Sequence, residues 1–184
     1  MMTYKEEMLL FNKKFVESKE YERFITTKYP ERKVAILTCM DTRLSLLLPA
    51  ALNIKNGDAK IIKNAGGVIK HPFGSVMRSL LVCIYELGVK EIMVVGHYDC
   101  GMQNVDPKSM IEKMLLRGVT NEDLERIEHS DVNIDEWLKG FEDPADSVRE
   151  TLEIIKTHPL IPGDVDCSGY LMDPVTGRID VIEE

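Results

Sequence analysis

The sequence predicts an α/β fold: a mainly parallel central β-sheet with an antiparallel C-terminal edge strand and helices on both faces. Three observations carry this. Two short apolar runs, Val34-Ala35-Ile36-Leu37-Thr38 and Ile92-Met93-Val94-Val95, read as buried strands. Between them Phe73, Val76, Met77, Leu80, Leu81, Ile84 and Leu87 recur at helical spacing. Near the end, Asp173-Pro174-Val175-Thr176-Gly177 is a strong turn signal between two further strand-like segments, which predicts a hairpin at one sheet edge.

Taken in order, residues 4–20 place Met8, Leu9, Phe11, Phe15 and Val16 on one helical face. Such a helix needs a surface to lie on, either its own domain or a partner. Tyr29-Pro30-Glu31 reads as the turn before the first strand, 33–39. Residues 44–53 are rich in leucine and predict a short helix interrupted around Pro49. Gly57-Asp58 turns the chain into a second strand, 59–63, which leads to Asn64-Ala65-Gly66-Gly67. Adjacent glycines permit a tight turn and a close backbone approach, so this is either a plain loop or one that presents N–H groups to a site. Pro72 near a first turn and Gly88 as a C-cap bracket the central helix. The third strand is 91–96.

Residues 107–139 change character. Met110, Ile111, Met114 and Leu115 mark one amphipathic helix, and shorter pieces open at Asn121 and Ile134. The acids Glu122, Asp123, Glu125, Glu128, Asp131, Asp135 and Glu136 read as a solvated face. Asp143-Pro144 starts a helix packed through Val148, Leu152 and Ile155, which His158-Pro159 ends. Segments 166–171 and 178–182 form the hairpin. No repeat or linker interrupts the 184 residues, so one domain over 1–184 is expected, with 1–30 as a helical arm.

The net charge of −8, with no basic run, argues against nucleic acid or an anionic membrane as a general partner. The polar start lacks the apolar core of a signal peptide, and no stretch approaches the roughly 20 apolar residues of a membrane span. The cytoplasm is the expected location. In that compartment four cysteines are read as metal ligands or buried thiols rather than disulfides. Cys83 and Cys167 sit in apolar surroundings and read as core residues. Cys39 and Cys100 stand at strand ends among polar residues.

Those strand ends concentrate the chemistry. The first runs into Cys39-Met40-Asp41-Thr42-Arg43, the third into Gly96-His97-Tyr98-Asp99-Cys100-Gly101. His97 and Cys100 have a common chelate spacing for zinc. Carboxyl ends of neighbouring parallel strands lie side by side, so Cys39, His97 and Cys100 can meet at one metal with Asp41 and Arg43 beside it. Three protein ligands with a free fourth position suit a catalytic zinc; structural sites usually have four. Cobalt or iron fits the same donors. Asp41 has two exclusive roles: a fourth ligand that closes the site, or a partner of Arg43 that leaves it open. His71, His129 and His158 read as surface or capping residues before proton shuttles.

Cys39-x-Asp41-x-Arg43 followed by His97-x-x-Cys100-Gly101 resembles the β-class carbonic anhydrases, in their short, archaeal-type form, from about residue 33 to the C-terminus. The resemblance implies one Zn²⁺ per chain on Cys39, His97 and Cys100, with Asp41 as fourth ligand only in a closed state. It implies reversible hydration of CO2 to bicarbonate and a proton by attack of a zinc-bound hydroxide. Asp41 and Arg43 would be catalytic, acting as gate and latch, and Gly66, Gly67 and Gly101 would border the substrate pocket. A homodimer or higher homo-oligomer follows, with the N-terminal helix reaching a partner. Two other readings keep the zinc: hydrolysis of carbon disulfide or carbonyl sulfide on the same scaffold, and a non-catalytic regulatory module.

Overall fold

A computed structural model describes residues 2–130 and 132–183. Asp131 and the side chain of Glu128, both expected on the acidic face, lie outside the described residues. Five strands form one sheet in the order β2 (Ala59–Asn64), β1 (Val34–Cys39), β3 (Glu91–His97), β4 (Asp166–Met172), β5 (Ile179–Ile182). Among the described residues the first three pairings are parallel, and only β4 with β5 is antiparallel. The Asp173 carboxylate accepts from the backbone N–H groups of Val175 and Thr176 and closes that hairpin, as its turn signal predicts.

β1 and β3 are central and buried along most of their length, which is why both read as continuous apolar runs. Their side chains alternate between two cores. On one face Ala35, Leu37, Ile92 and Val94 meet α3 (Ser75–Tyr85) and α7 (Pro144–Lys156) through Met77, Leu80, Val148, Leu152 and Ile155. On the other, Ile36 and Val95 meet α2 (Leu44–Ala51) through Leu44 and Leu48. Glycines let α7 come close: a Cβ on Gly96 would stand 2.8 Å from Val148, and one on Gly169 2.7 Å from both Val148 and Leu152. Asp143 caps α7 by accepting from Ala145 and Asp146, with Pro144 at the first helical position.

Several local expectations need correction. Pro49 does not interrupt α2, which runs through it. The carbonyl that loses a donor belongs to Ser45, which is exposed, so water can satisfy it. Phe73 precedes the central helix, which begins after Gly74; its exposed ring lies 5.2 Å from that of His158. His158 is buried rather than superficial, and its Nδ1 accepts the Leu160 N–H at 3.2 Å, closing the turn after α7. The strand expected to stop at Gly96 continues to His97, which pairs with Met172.

The excursion resolves into α4 (Pro107–Leu116), α5 (Asn121–Glu128) and α6 (Ile134–Leu138). The N-terminal arm forms α1 (Tyr4–Glu17), started by a reciprocal Thr3–Glu6 capping box. Phe15 packs toward Phe24 with ring centroids 6.2 Å apart, yet no residue of α1 is buried, and Phe11 is 63% exposed. Among the described residues no helix is long and apolar enough to cross a membrane.

Candidate metal centre

The parallel pairing of β1 with β3 puts Thr38 opposite Val95, so the two strands end together. Cys39 is the last residue of β1 and His97 the last of β3; Cys100 follows after a tight turn. All three are buried, and their ligand atoms lie within 4.8 Å of one another. Among the described residues no other group of three or more His, Cys, Asp or Glu converges this way. The two sulfurs are 3.8 Å apart.

The electrostatics suit a cation. The neighbouring Cys100 thiol, outweighing the effect of burial, pulls the Cys39 thiol below the usual thiol range; the nearby His97 ring and the backbone N–H groups of Asp41 and Gly66 act in the same direction. The Cys39 thiolate in turn pushes Cys100 up. Two adjacent thiols therefore hold one proton between them until a positive ion allows both to ionise. His97 Nδ1 lies 2.8 Å from the Tyr98 carbonyl, which can only accept, so Nδ1 carries the proton. That leaves the Nε2 lone pair free, buried and without a hydrogen-bond partner among the described residues. An orphaned imidazole nitrogen facing two thiols is what a ligand set looks like, and two sulfurs with one nitrogen suit zinc.

Asp41 stands at the rim with its carboxylate turned to Arg43. Arg43 Nη2 donates to Oδ2 at 2.8 Å, Nε reaches both oxygens at 3.1 and 3.2 Å, and the Arg43 backbone N–H donates to Oδ1 at 2.8 Å. These contacts hold the Asp41 carboxyl down to about 2, hence ionised near neutrality. Its Oδ2 remains 3.9 Å from His97 Nε2, so the carboxylate is close to the ligand cluster but engaged elsewhere.

Gly66 and Gly67 are buried beside β1, both with left-handed backbones. A Cβ on Gly67 would stand 2.9 Å from the Cys39 nitrogen. Asn64 pins this loop, donating to the Val68 carbonyl at 2.6 Å and accepting the Val68 N–H at 3.0 Å. Gly101 has open space around its Cβ direction. One contact at the site was not legible in the motifs: Asp99 also binds Arg43, through both its carboxylate and its carbonyl. Its signal was only its place inside the ligand hexapeptide. Tyr98 joins the same loop to β5 by donating to Asp180 at 2.9 Å.

Comparison with known proteins agrees with this geometry. A family model described as carbonic anhydrase matches residues 34–179. The Bacillus subtilis (strain 168) protein named "Putative carbonic anhydrase YtiB" is 50% identical over 181 residues, covering 98% of this chain and 97% of that one. The crystal structure of β-carbonic anhydrase isoform I from Trichomonas vaginalis superposes with a TM-score of 0.90 at 36% identity, covering 98% of each chain. A carbon disulfide hydrolase of Saccharolobus solfataricus is 33% identical, covering 81% of this chain and 76% of that protein.

Proposed function

The chain belongs to the β-carbonic anhydrase family, and from that membership we propose that it hydrates carbon dioxide reversibly to bicarbonate and a proton at a zinc held by Cys39, His97 and Cys100. The observation that carries the reading is the Nε2 of His97, unpartnered among the described residues, near two sulfurs and beside an Asp41 already committed to Arg43. A bound zinc supplies Lewis acidity that activates water toward the electron-poor carbon of carbon dioxide. Asp41, ionised and steered by Arg43, orients the attacking water by accepting its hydrogen bond. Arg43 is the latch: without it the carboxylate is free to turn to the ligand cluster 3.9 Å away and compete for the open position. Gly66, Gly67 and Gly101 border the substrate space in this reading: the lack of a side chain lets Gly66 and Gly67 pack against Phe141 and the end of β1, and leaves the space beside Gly101 open.

The test is stopped-flow carbon dioxide hydration on protein of measured zinc content, with carbon disulfide as comparison substrate because a hydrolase of it is a relative. About one zinc per chain and carbon dioxide turnover are expected. Arg43→Ala should lower that turnover about tenfold, the size of a lost charge-assisted contact. Zinc-loaded protein that turns over only carbon disulfide would overturn the substrate assignment.

We also propose a homodimer as the minimal unit. Met8, Leu9, Phe11 and Val16 expose an apolar face on α1 that its own chain leaves uncovered, and a second copy is the partner the family implies. Phe11→Glu should shift sedimentation equilibrium toward monomer; an unchanged mass would remove α1 from the interface.

A further inference from the structure

Asp99 lies between two proposed ligands and contributes no donor to the metal cluster, yet Arg43 contacts it twice. Nη1 donates to Asp99 Oδ2 at 2.8 Å and Nη2 to the Asp99 carbonyl at 2.7 Å. Asp41 takes Nε and the other Nη2 hydrogen. Of the guanidinium's five N–H bonds, four are thus engaged among the described residues, and one remains on Nη1. The two carboxylates that clamp it come from different strand-end loops, one after β1 and one after β3.

The backbone of Asp99 is part of this device. Its φ is +52°, a left-handed conformation that Asp and Asn tolerate better than most residues. In it, a single residue offers both carbonyl and carboxylate to one guanidinium. The Asp99 side chain is 86% exposed, so the ion pair contributes little to global stability. Its consequence is local. A long Arg side chain anchored at one edge keeps much of its rotamer freedom; anchored at both edges it is fixed.

We propose that Asp99 is a positioning residue: by holding the outer edge of the Arg43 guanidinium, it keeps Arg43 where Asp41 pairs with it, and so holds the Asp41 carboxylate off the metal. This rests on the latch reading of Asp41 and Arg43 given above. It makes the turn that carries His97 and Cys100 also the setting screw of the gate. The residue acts through Arg43 and touches neither substrate nor metal.

The experiment uses the zinc-loaded protein. Asp99→Asn keeps the side-chain size, the tolerance for a left-handed backbone and the carbonyl contact, and removes only the charge. Carbon dioxide turnover should fall about two- to fivefold, the range an exposed ion pair supports. Crystals of the same zinc-loaded variant should show Asp41 turned from Arg43 in part of the molecules, a readout independent of turnover. In an Arg43→Ala background the added Asp99→Asn change should have no further effect on either measure.

If Asp99→Asn keeps wild-type turnover and Asp41 geometry while Arg43→Ala loses both, the role of Asp99 is overturned and the latch stands. If Arg43→Ala is itself unchanged, the latch fails and Asp99 with it. An Asp99→Asn loss that persists undiminished in the Arg43→Ala background would assign Asp99 to folding of the turn and also overturn the proposal.

Discussion

With His97 replaced by alanine, the protein should fold, retain under about a tenth of its zinc and lose carbon dioxide hydration by about a thousandfold or more. The backbone pairing of His97 with Met172 does not need the imidazole, so β3 keeps its ladder. Nε2 is buried and unpartnered among the described residues, which costs the metal-free protein about 1–3 kcal/mol. Removing the ring relieves that cost but loses the Nδ1 bond to Tyr98 and leaves a small cavity of comparable penalty. Metal-free variant and metal-free wild type should therefore unfold within about 2 kcal/mol of each other. The difference appears on adding zinc. Wild type should rise in melting temperature by mass action, and the variant should not. Metal analysis with paired melting curves decides it: wild-type zinc stoichiometry in His97→Ala would place the ligands elsewhere.

The parts of the fold that were legible share a physical cause. β1 and β3 are buried on both faces along most of their length, so successive residues from Val34 to Leu37 and from Ile92 to Val95 are apolar and the run is continuous. α3 shows its period because one side meets the sheet. That Cys39, His97 and Cys100 converge was legible because each stands at or just after the end of one of two parallel strands that the sequence placed side by side. What was hidden depends on relations that sequence spacing does not encode. The order β2-β1-β3 is set by pairing between segments, which periodicity within a segment does not report. Phe73 keeps the helical spacing, but Gly74 starts the helix after it. Pro49 removes a donor from the carbonyl of Ser45, an exposed residue, and that exposure is a matter of tertiary structure. Asp99 resembles any exposed acid in one dimension; its contact with Arg43 needs a left-handed backbone and two loops brought together by the sheet. The proposed ligands could thus be picked out by residue type, while the contact of Asp99 with Arg43 emerges only from geometry.

Gly67→Ala should lower stability by about 3 kcal/mol or more and impair zinc binding even in molecules that still fold. Two costs combine. The backbone at Gly67 has φ +68°, where an L side chain is strained by about 1–2 kcal/mol. The added Cβ would also stand 2.9 Å from the Cys39 nitrogen and 2.9 Å from the Thr38 carbonyl carbon. Those are backbone atoms at the end of a buried central strand, so no side-chain rotation relieves the contact. Thr38 is held further by its own hydroxyl, which donates to the Val95 carbonyl at 2.8 Å. Strain must then pass either into the Asn64–Val68 loop, opening its paired side-chain hydrogen bonds, or into Cys39 itself. Either route moves the first proposed ligand or the Gly66 N–H that favours its thiolate. Gly101→Ala is the matched control, since its Cβ would meet nothing within 4 Å. That change should leave the unfolding free energy from urea denaturation within about 0.5 kcal/mol of wild type. Its effect on turnover then reports the pocket alone. A Gly67→Ala protein as stable as the Gly101→Ala protein would show that the loop yields freely and that β1 does not depend on its close approach.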